Sequence, residues 1–299
     1  MSIELYGRGD RLGANITCMI AQIICAVKNK YYIHYNRDFI NHNDDVRFVP
    51  YNQKYSKSVF IETLFDFIDY HNKECDKDAK RLRIDTIHFF TMISSVLLKV
   101  KMDLISYFKE HIFTIIKNKF RENAIHRNYF NKIPYEPSNT ILVHLRLNDV
   151  RYGNDYDGRI CADYFRQVID SDIIADNETD ATINKLNGSR CNVQAPLSNS
   201  KIHTQIEDAR KKYPNHKVMI VTNPGEKKEF PYEYIQSDDE SLDLFFLSNA
   251  DVVILSRSTY AISSLFFSNA TEIYLPLWGH LPCFGIYSKY DKCKYNYFY

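Results

Sequence analysis

The stretch Ser237-Asp238-Asp239-Glu240-Ser241-Leu242-Asp243-Leu244-Phe245-Phe246-Leu247-Ser248-Asn249-Ala250-Asp251-Val252-Val253-Ile254-Leu255-Ser256-Arg257-Ser258-Thr259-Tyr260 decides the fold class. Its first part reads as a helix whose apolar face includes Leu244 and Leu247. A short apolar run, Val252 to Leu255, then reads as a buried strand, and the hydroxyl residues after it open a second helix. Helix, buried strand and helix in succession are the unit of a parallel sheet wrapped by helices. Free backbone N–H groups and hydroxyls at such a helix start can hold an anion, although plain capping by Ser256 or Ser258 is the commoner use of serine there.

The same unit recurs outward in both directions. Strands are expected at Thr140 to Leu145, Lys217 to Thr222, Tyr234 to Gln236, Asp251 to Leu255 and Glu272 to Pro276. Pro134 and Pro137 mark a boundary before the first of these, dividing the chain into 1–135 and 136–299. In the earlier part, Ile3 to Tyr35 reads as strand, glycine-containing turn, amphipathic helix and strand, with Ile16, Met19, Ile20, Ile23, Ile24 and Val27 at helical spacing. A short helix is expected around Ser58 to His71. Phe108, Ile112 and Ile115 continue a helical spacing that begins near Ile84. Residues Ser171 to Ser200 are polar and read as an inserted loop. Two such halves predict an α/β protein of two Rossmann-like domains facing a cleft.

With 299 residues, 45% hydrophobic and 25% charged, the chain has enough apolar material for large cores, which excludes a disordered or collagen-like chain. Its 38 basic and 37 acidic side chains give a net charge of +1, so the chain has no global electrostatic reason to coat nucleic acid or an acidic membrane. Met1 to Asp10 lacks a basic stretch followed by an apolar run, and no apolar stretch reaches membrane-spanning length, so the expectation is a soluble, cytoplasmic protein. The 7 cysteines are scattered, without a C-x-x-C pair, and predict neither a disulfide framework nor a metal site. The 23 tyrosines cluster in part at the end of the chain (Tyr287, Tyr290, Tyr295, Tyr297, Tyr299), where they read as a tail packing back on the fold. Oligomeric state is left open.

Three polar constellations stand out. His144-Leu145-Arg146-Leu147-Asn148-Asp149 lies at the carboxyl end of an apolar strand, where open α/β sheets place ligand contacts. An arginine there offers a cationic fork for a diphosphate, and the competing reading is a satisfied His144–Arg146 pair on an alternating strand. Ser237 to Tyr260 is the second. The third is Gly7-Arg8-Gly9-Asp10-Arg11-Leu12-Gly13-Ala14-Asn15 before the first helix, whose glycine spacing is not the dinucleotide fingerprint.

In this order the three resemble the GDP-fucosyltransferase superfamily, the α1,2-, α1,6- and protein O-fucosyltransferases. Arg11-Leu12-Gly13-Ala14-Asn15 is similar to its first-helix motif, with Ala14 inserted. His144-x-Arg146-x-x-Asp149 is similar to its H-x-R-R-x-D motif, with Leu147 in place of the second arginine, and Ser237 to Tyr260 is similar to its third segment. The resemblance implies a two-domain GT-B fold and an inverting glycosyltransferase that uses no metal and takes a nucleotide-sugar donor, GDP-fucose, and a glycan acceptor. It implies that Arg146 meets the β-phosphate with Ser258 and Thr259, and that His144 faces guanine or ribose. Thr222, Asn223, Asp238 and Asp239 border the nucleotide, and Arg11, Gly13 and Asn15 belong to the donor site from the first domain. Asp155, Asp157 or Asp149 is the implied catalytic base. Two alternatives stay open: the same fold with another donor, and a catalytically silent glycan- or nucleotide-binding protein. Asp155-Tyr156-Asp157 also spells D-x-D, a metal–nucleotide motif, but Asp76-Lys77-Asp78 spells it as well, so the match has little specificity.

Overall fold

The computed structural model describes residues 1–5, 12–37, 58–82, 108–146, 197, 199–225, 229–276 and 293–298. The chain divides into two compact units, Met1–Lys132 and Ile133–Tyr299.

In the first unit, β1 (Ser2–Glu4), α1 (Leu12–Asn29) and β2 (Tyr32–His34) form the expected β-α-β opening. β2 and β3 (Arg81–Leu82) flank β1 in a parallel three-stranded sheet of order β2-β1-β3. The helical spacing of α1 places Leu12, Ile16, Met19, Ile20 and Ile23 at 1% exposure or less. α1 ends in a paired carbonyl cap: Tyr31 N–H donates to Ala26 O (2.8 Å) and Lys30 N–H to Val27 O (3.3 Å). This requires a left-handed residue past the helix end, and here it is a lysine, Lys30 at φ 54°. α2 (Val59–Asn72) buries Phe60, Ile61, Leu64, Phe65 and Ile68. Its last residue, Asn72, turns its side-chain amide onto the outer edge of β2, accepting from Ile33 N–H (2.9 Å) and donating to Ile33 O (2.8 Å), so one amide stands in for a further strand. A π-helical turn at Phe108–Ile112 leads into α3 (Phe113–His126), and Phe108, Ile112, Ile116 and Phe120 point inward. Phe120 packs 4.8 Å from Phe60 of α2. The expected helical stretch between 83 and 107 lies outside the described residues.

Among the described residues, the second unit is mixed α/β around one parallel sheet of six strands. These are β4 (Thr140–His144), β5 (Lys217–Val221), β6 (Glu233–Ile235), β7 (Val252–Ile254), β8 (Glu272–Pro276) and β9 (Lys294–Phe298), in the spatial order β6-β5-β4-β7-β8-β9. Counted within the unit, that order is 3-2-1-4-5-6, the order of doubly wound nucleotide-binding sheets, and winding reverses between β4 and β7. Ile141, Val143, Val218, Ile220, Val252 and Ile254 form one buried face with Ile202, Ile206 and Ala209 of α4 (Asn199–Lys212). Leu142, Met219, Val253, Ile273 and Leu275, which alternate with them, are buried too, as a parallel sheet covered on both faces requires. α5 (Glu240–Asn249) precedes β7, and α6 (Thr259–Ser263) follows it, continued by a 3-10 turn at Ser264–Phe266.

Two sequence expectations change. In the tyrosine-rich end, Lys294–Phe298 is a parallel edge strand on β8 rather than a tail, while Tyr287, Tyr290 and Tyr299 lie outside the described residues. The strand is anchored by Glu272, which accepts from Lys212 Nζ (2.5 Å), Tyr213 Oη (2.7 Å) and Asn296 Nδ2 (2.7 Å). Burial pushes the Glu272 carboxyl up, but these three donors outweigh it and hold the group at about 2. The inserted loop also ends earlier than expected, since Asn199 and Ser200 already belong to α4.

Candidate functional site at the reversal of the sheet

In doubly wound sheets ligands bind at the carboxyl ends of the strands where the winding reverses, and here that place is the ends of β4 and β7. His144 is the last residue of β4 and is 7% exposed. Its Nδ1 is 2.6 Å from Ser256 Oγ, two residues past the end of β7, so the two strand ends are joined across the point of reversal. The Tyr260 ring of α6 lies 5.7 Å from the imidazole. Burial, and then the neighbouring Arg146, lower the His144 pKa to about 3, so the ring is neutral at physiological pH. A neutral, buried imidazole held at Nδ1 presents Nε2 as a hydrogen-bonding group and is a poor general acid or base.

Arg146, half-buried, follows the turn at which Leu145 N–H donates to Val221 O (2.9 Å). Thr222, 2% exposed, donates its hydroxyl to Leu145 O (3.2 Å) and so locks the ends of β4 and β5 at one level. Asn223 is exposed, and its carbonyl accepts from Gln236 Nε2 (3.1 Å). After β7, Ser256, Arg257 and Ser258 are all buried. Ser258 holds the N-cap position of α6 without a side-chain capping bond, so plain capping does not account for its hydroxyl. Thr259, half-buried, is the first residue of that helix. α6 has only five residues, so the anion-binding groups there are hydroxyls and individual N–H groups, with little macrodipole behind them.

The acidic pair at the start of α5 divides in role. Asp239 is the N-cap, accepting from Ser241 N–H (2.9 Å) and Leu242 N–H (3.2 Å), while Asp238 is exposed beside it. Gly13 and Asn15 are buried in the first two turns of α1, where Gly13 O accepts the Thr17 hydroxyl at 2.9 Å. Arg11, Asp149, Asp155 and Asp157 lie outside the described residues.

The structure adds Asp243, which the sequence did not single out. It is 7% exposed on α5, and its Oδ1 takes no hydrogen bond among the described residues. Burial, then the charges of Asp239 and Glu240, raise its pKa to about 8. The Tyr260 hydroxyl donates to the Glu240 carbonyl, and burial and the charges of Asp243, Glu240 and Asp239 push the phenol up. A chain of contacts therefore runs from Ser256 through His144 and Tyr260 to the first turn of α5. Its chemistry is a neutral imidazole, a guanidinium, several buried hydroxyls and a carboxyl that lacks a donor: groups suited to a ligand with an anionic end and a hydrogen-bonding end.

Among the described residues, no cluster of His, Cys, Asp and Glu could hold a metal ion, and no helix is long and apolar enough to cross a membrane. Comparison of the chain with protein-family models, with curated proteins and with solved structures finds no match.

Proposed function

We propose that the C-terminal unit binds a nucleotide-diphosphate sugar at the β4/β7 reversal, and that the protein is an inverting glycosyltransferase that works without a metal cofactor. The donor in this reading is GDP-fucose and the acceptor a glycan hydroxyl. The observation that carries the reading is the convergence of His144, Arg146 and Ser256 to Thr259 at the reversal of a 3-2-1-4-5-6 sheet. In the transfer, an acceptor oxygen bonds to the anomeric carbon from one side while the bond to the β-phosphate oxygen breaks on the other. The nucleoside diphosphate leaves, and the acceptor proton passes to a base. Arg146 neutralises the charge that grows on the β-phosphate, with the hydroxyls of Ser258 and Thr259 as further donors. His144, neutral, hydrogen-bonds the ribose or base through Nε2. Asp243, protonated in the free protein, releases its proton when a guanine binds, and the carboxylate then accepts from the N1–H and N2–H2 edge, which favours GDP over UDP. Thr222, Asn223 and Asp238 border the nucleotide. Asp155, Asp157 or Asp149 takes the proton.

The test is a thermal-shift and calorimetric titration with GDP, GDP-fucose, UDP and UDP-sugars, since a ligand that binds only the folded state stabilises it by mass action. The expected outcome is saturable binding of GDP and GDP-fucose that Arg146→Ala weakens by roughly ten- to a hundredfold. UDP-selective binding overturns the donor, and the absence of any nucleotide binding overturns the reading.

A further inference from the structure

The sheet of the N-terminal unit is parallel, yet its two faces differ. Ile3 and Ile33 are fully buried on one. On the other, the register aligns Ser2 with Tyr32 and Arg81, and Glu4 with His34, an entirely polar set apart from the tyrosine ring. Parallel sheets are covered on both faces, so a polar second face calls for a polar covering. Part of that covering is the turn Asp76–Lys80. It is pinned to β1 by Ser2 Oγ donating to Ala79 O (2.9 Å) and Ser2 N–H donating to Lys80 O (3.0 Å), and internally by Asp78 N–H donating to Asp76 Oδ1 (3.0 Å). Between the turn and the strands lies a cavity of about 350 Å³ lined by His34, Lys77, Asp78, Ala79 and Arg81.

Three nitrogen-bearing groups line this cavity. His34 Nε2 is buried and takes no hydrogen bond among the described residues, although buried ring nitrogens are normally partnered. Burial, then the charge of Arg81, lowers the His34 pKa, with Glu4 raising it in part and Lys77 adding a smaller lowering. Arg81 contacts Glu4 loosely, at 3.4 Å. Lys77 makes no ion pair among the described residues. We propose that this cavity is a binding site for a phosphate monoester, with Arg81 and Lys77 neutralising the phosphate and His34 Nε2–H donating to one of its oxygens. Asp78, also on the wall, excludes a second anionic group and accepts from a hydroxyl of the same ligand, so the fitting class is a hydroxylated phosphate such as a sugar phosphate. The site lies wholly in the N-terminal unit and stands independently of the nucleotide reading.

The experiment follows the His34 Hε1–Cε1 resonance of the full chain during titration with inorganic phosphate, a hexose 6-phosphate and acetate at constant ionic strength. Expected is a saturable shift with phosphate, a tighter one with the hexose phosphate, and none with acetate. Arg81→Ala and Lys77→Ala, both at exposed positions and so harmless to folding, should each weaken binding at least tenfold, whereas Asp78→Asn should tighten inorganic phosphate and abolish the preference for the sugar. A His34 resonance that does not move at tens of millimolar phosphate overturns the site. So does an equal response to acetate, or binding that survives the Arg81 and Lys77 changes together.

Discussion

Asp243 gives the sharpest test of the electrostatics at the sheet reversal, because two buried groups there titrate in opposite senses. The Asp243 pKa rises from 3.8 to about 8 on folding, so between these values the folded chain holds a proton that the unfolded chain has released. Stability therefore falls as pH rises through that window, by about 1.4 kcal/mol per unit. His144 falls from 6.5 to about 3, so between these values the unfolded chain holds the extra proton and stability rises with pH by the same slope. From about pH 4 to 6.5 the two slopes cancel. Above 6.5 the His144 contribution levels off and Asp243 dominates, so the wild type should lose about 1.3 kcal/mol between pH 6.5 and 8. Asp243→Asn keeps the shape and removes the titration. Its urea midpoint should stay level over the same interval, and at pH 8 the variant should be the more stable protein. Equilibrium urea unfolding at half-unit steps of pH measures this directly. Parallel profiles for the two proteins would show that the Asp243 carboxyl is solvated or partnered in the folded state and would refute the reasoning.

Lys30→Gly relieves a left-handed lysine at the end of α1 and should stabilise the chain by about 1 kcal/mol in thermal unfolding, whereas Lys30→Val should destabilise it. Glu272→Ala strands the three donors from Lys212, Tyr213 and Asn296 at a residue that is 3% exposed; a loss of about 2–4 kcal/mol is expected, and hydrogen exchange should show β9 losing protection before the central strands. Arg146→Ala should weaken GDP far more than guanosine, since the arginine is read as a phosphate contact, and equal loss for both ligands removes that role.

The core strands of the second unit were legible in the sequence because they are short apolar runs between turn residues: Ile141 to Val143, Val218 to Val221 and Val252 to Ile254 carry the pattern of strands buried on both faces. β9 was not, because an edge strand needs no apolar run and Lys294-Tyr295-Asn296-Tyr297-Phe298 pairs through its backbone and through Asn296. His144 and Arg146 were legible as polar residues closing an apolar strand. Asp243 was hidden by the same logic in reverse. A single acid inside Leu242-Asp243-Leu244-Phe245-Phe246-Leu247 looks like a residue on the solvated side of a helix, and only tertiary packing shows that α5 is buried nearly all round. The cavity of the N-terminal unit was invisible because sheet register brings His34 and Arg81 near each other and the turn Asp76–Lys80, pinned to β1 by Ser2, adds Lys77.

The strand order also dictates how the second unit is assembled as it is made. β4, the first strand synthesised, ends in the middle of the sheet, and each later strand attaches to an edge already present, first outward through β5 and β6, then outward on the other flank through β7, β8 and β9. Among the described strands, none is threaded between two that are already paired. The cost falls on one interval of synthesis: from the completion of β4 until Val252 emerges, the inner flank of β4 is an unpaired strand edge, open to any other nascent chain. That edge belongs to the strand that ends in His144, at the point where the winding of the sheet reverses.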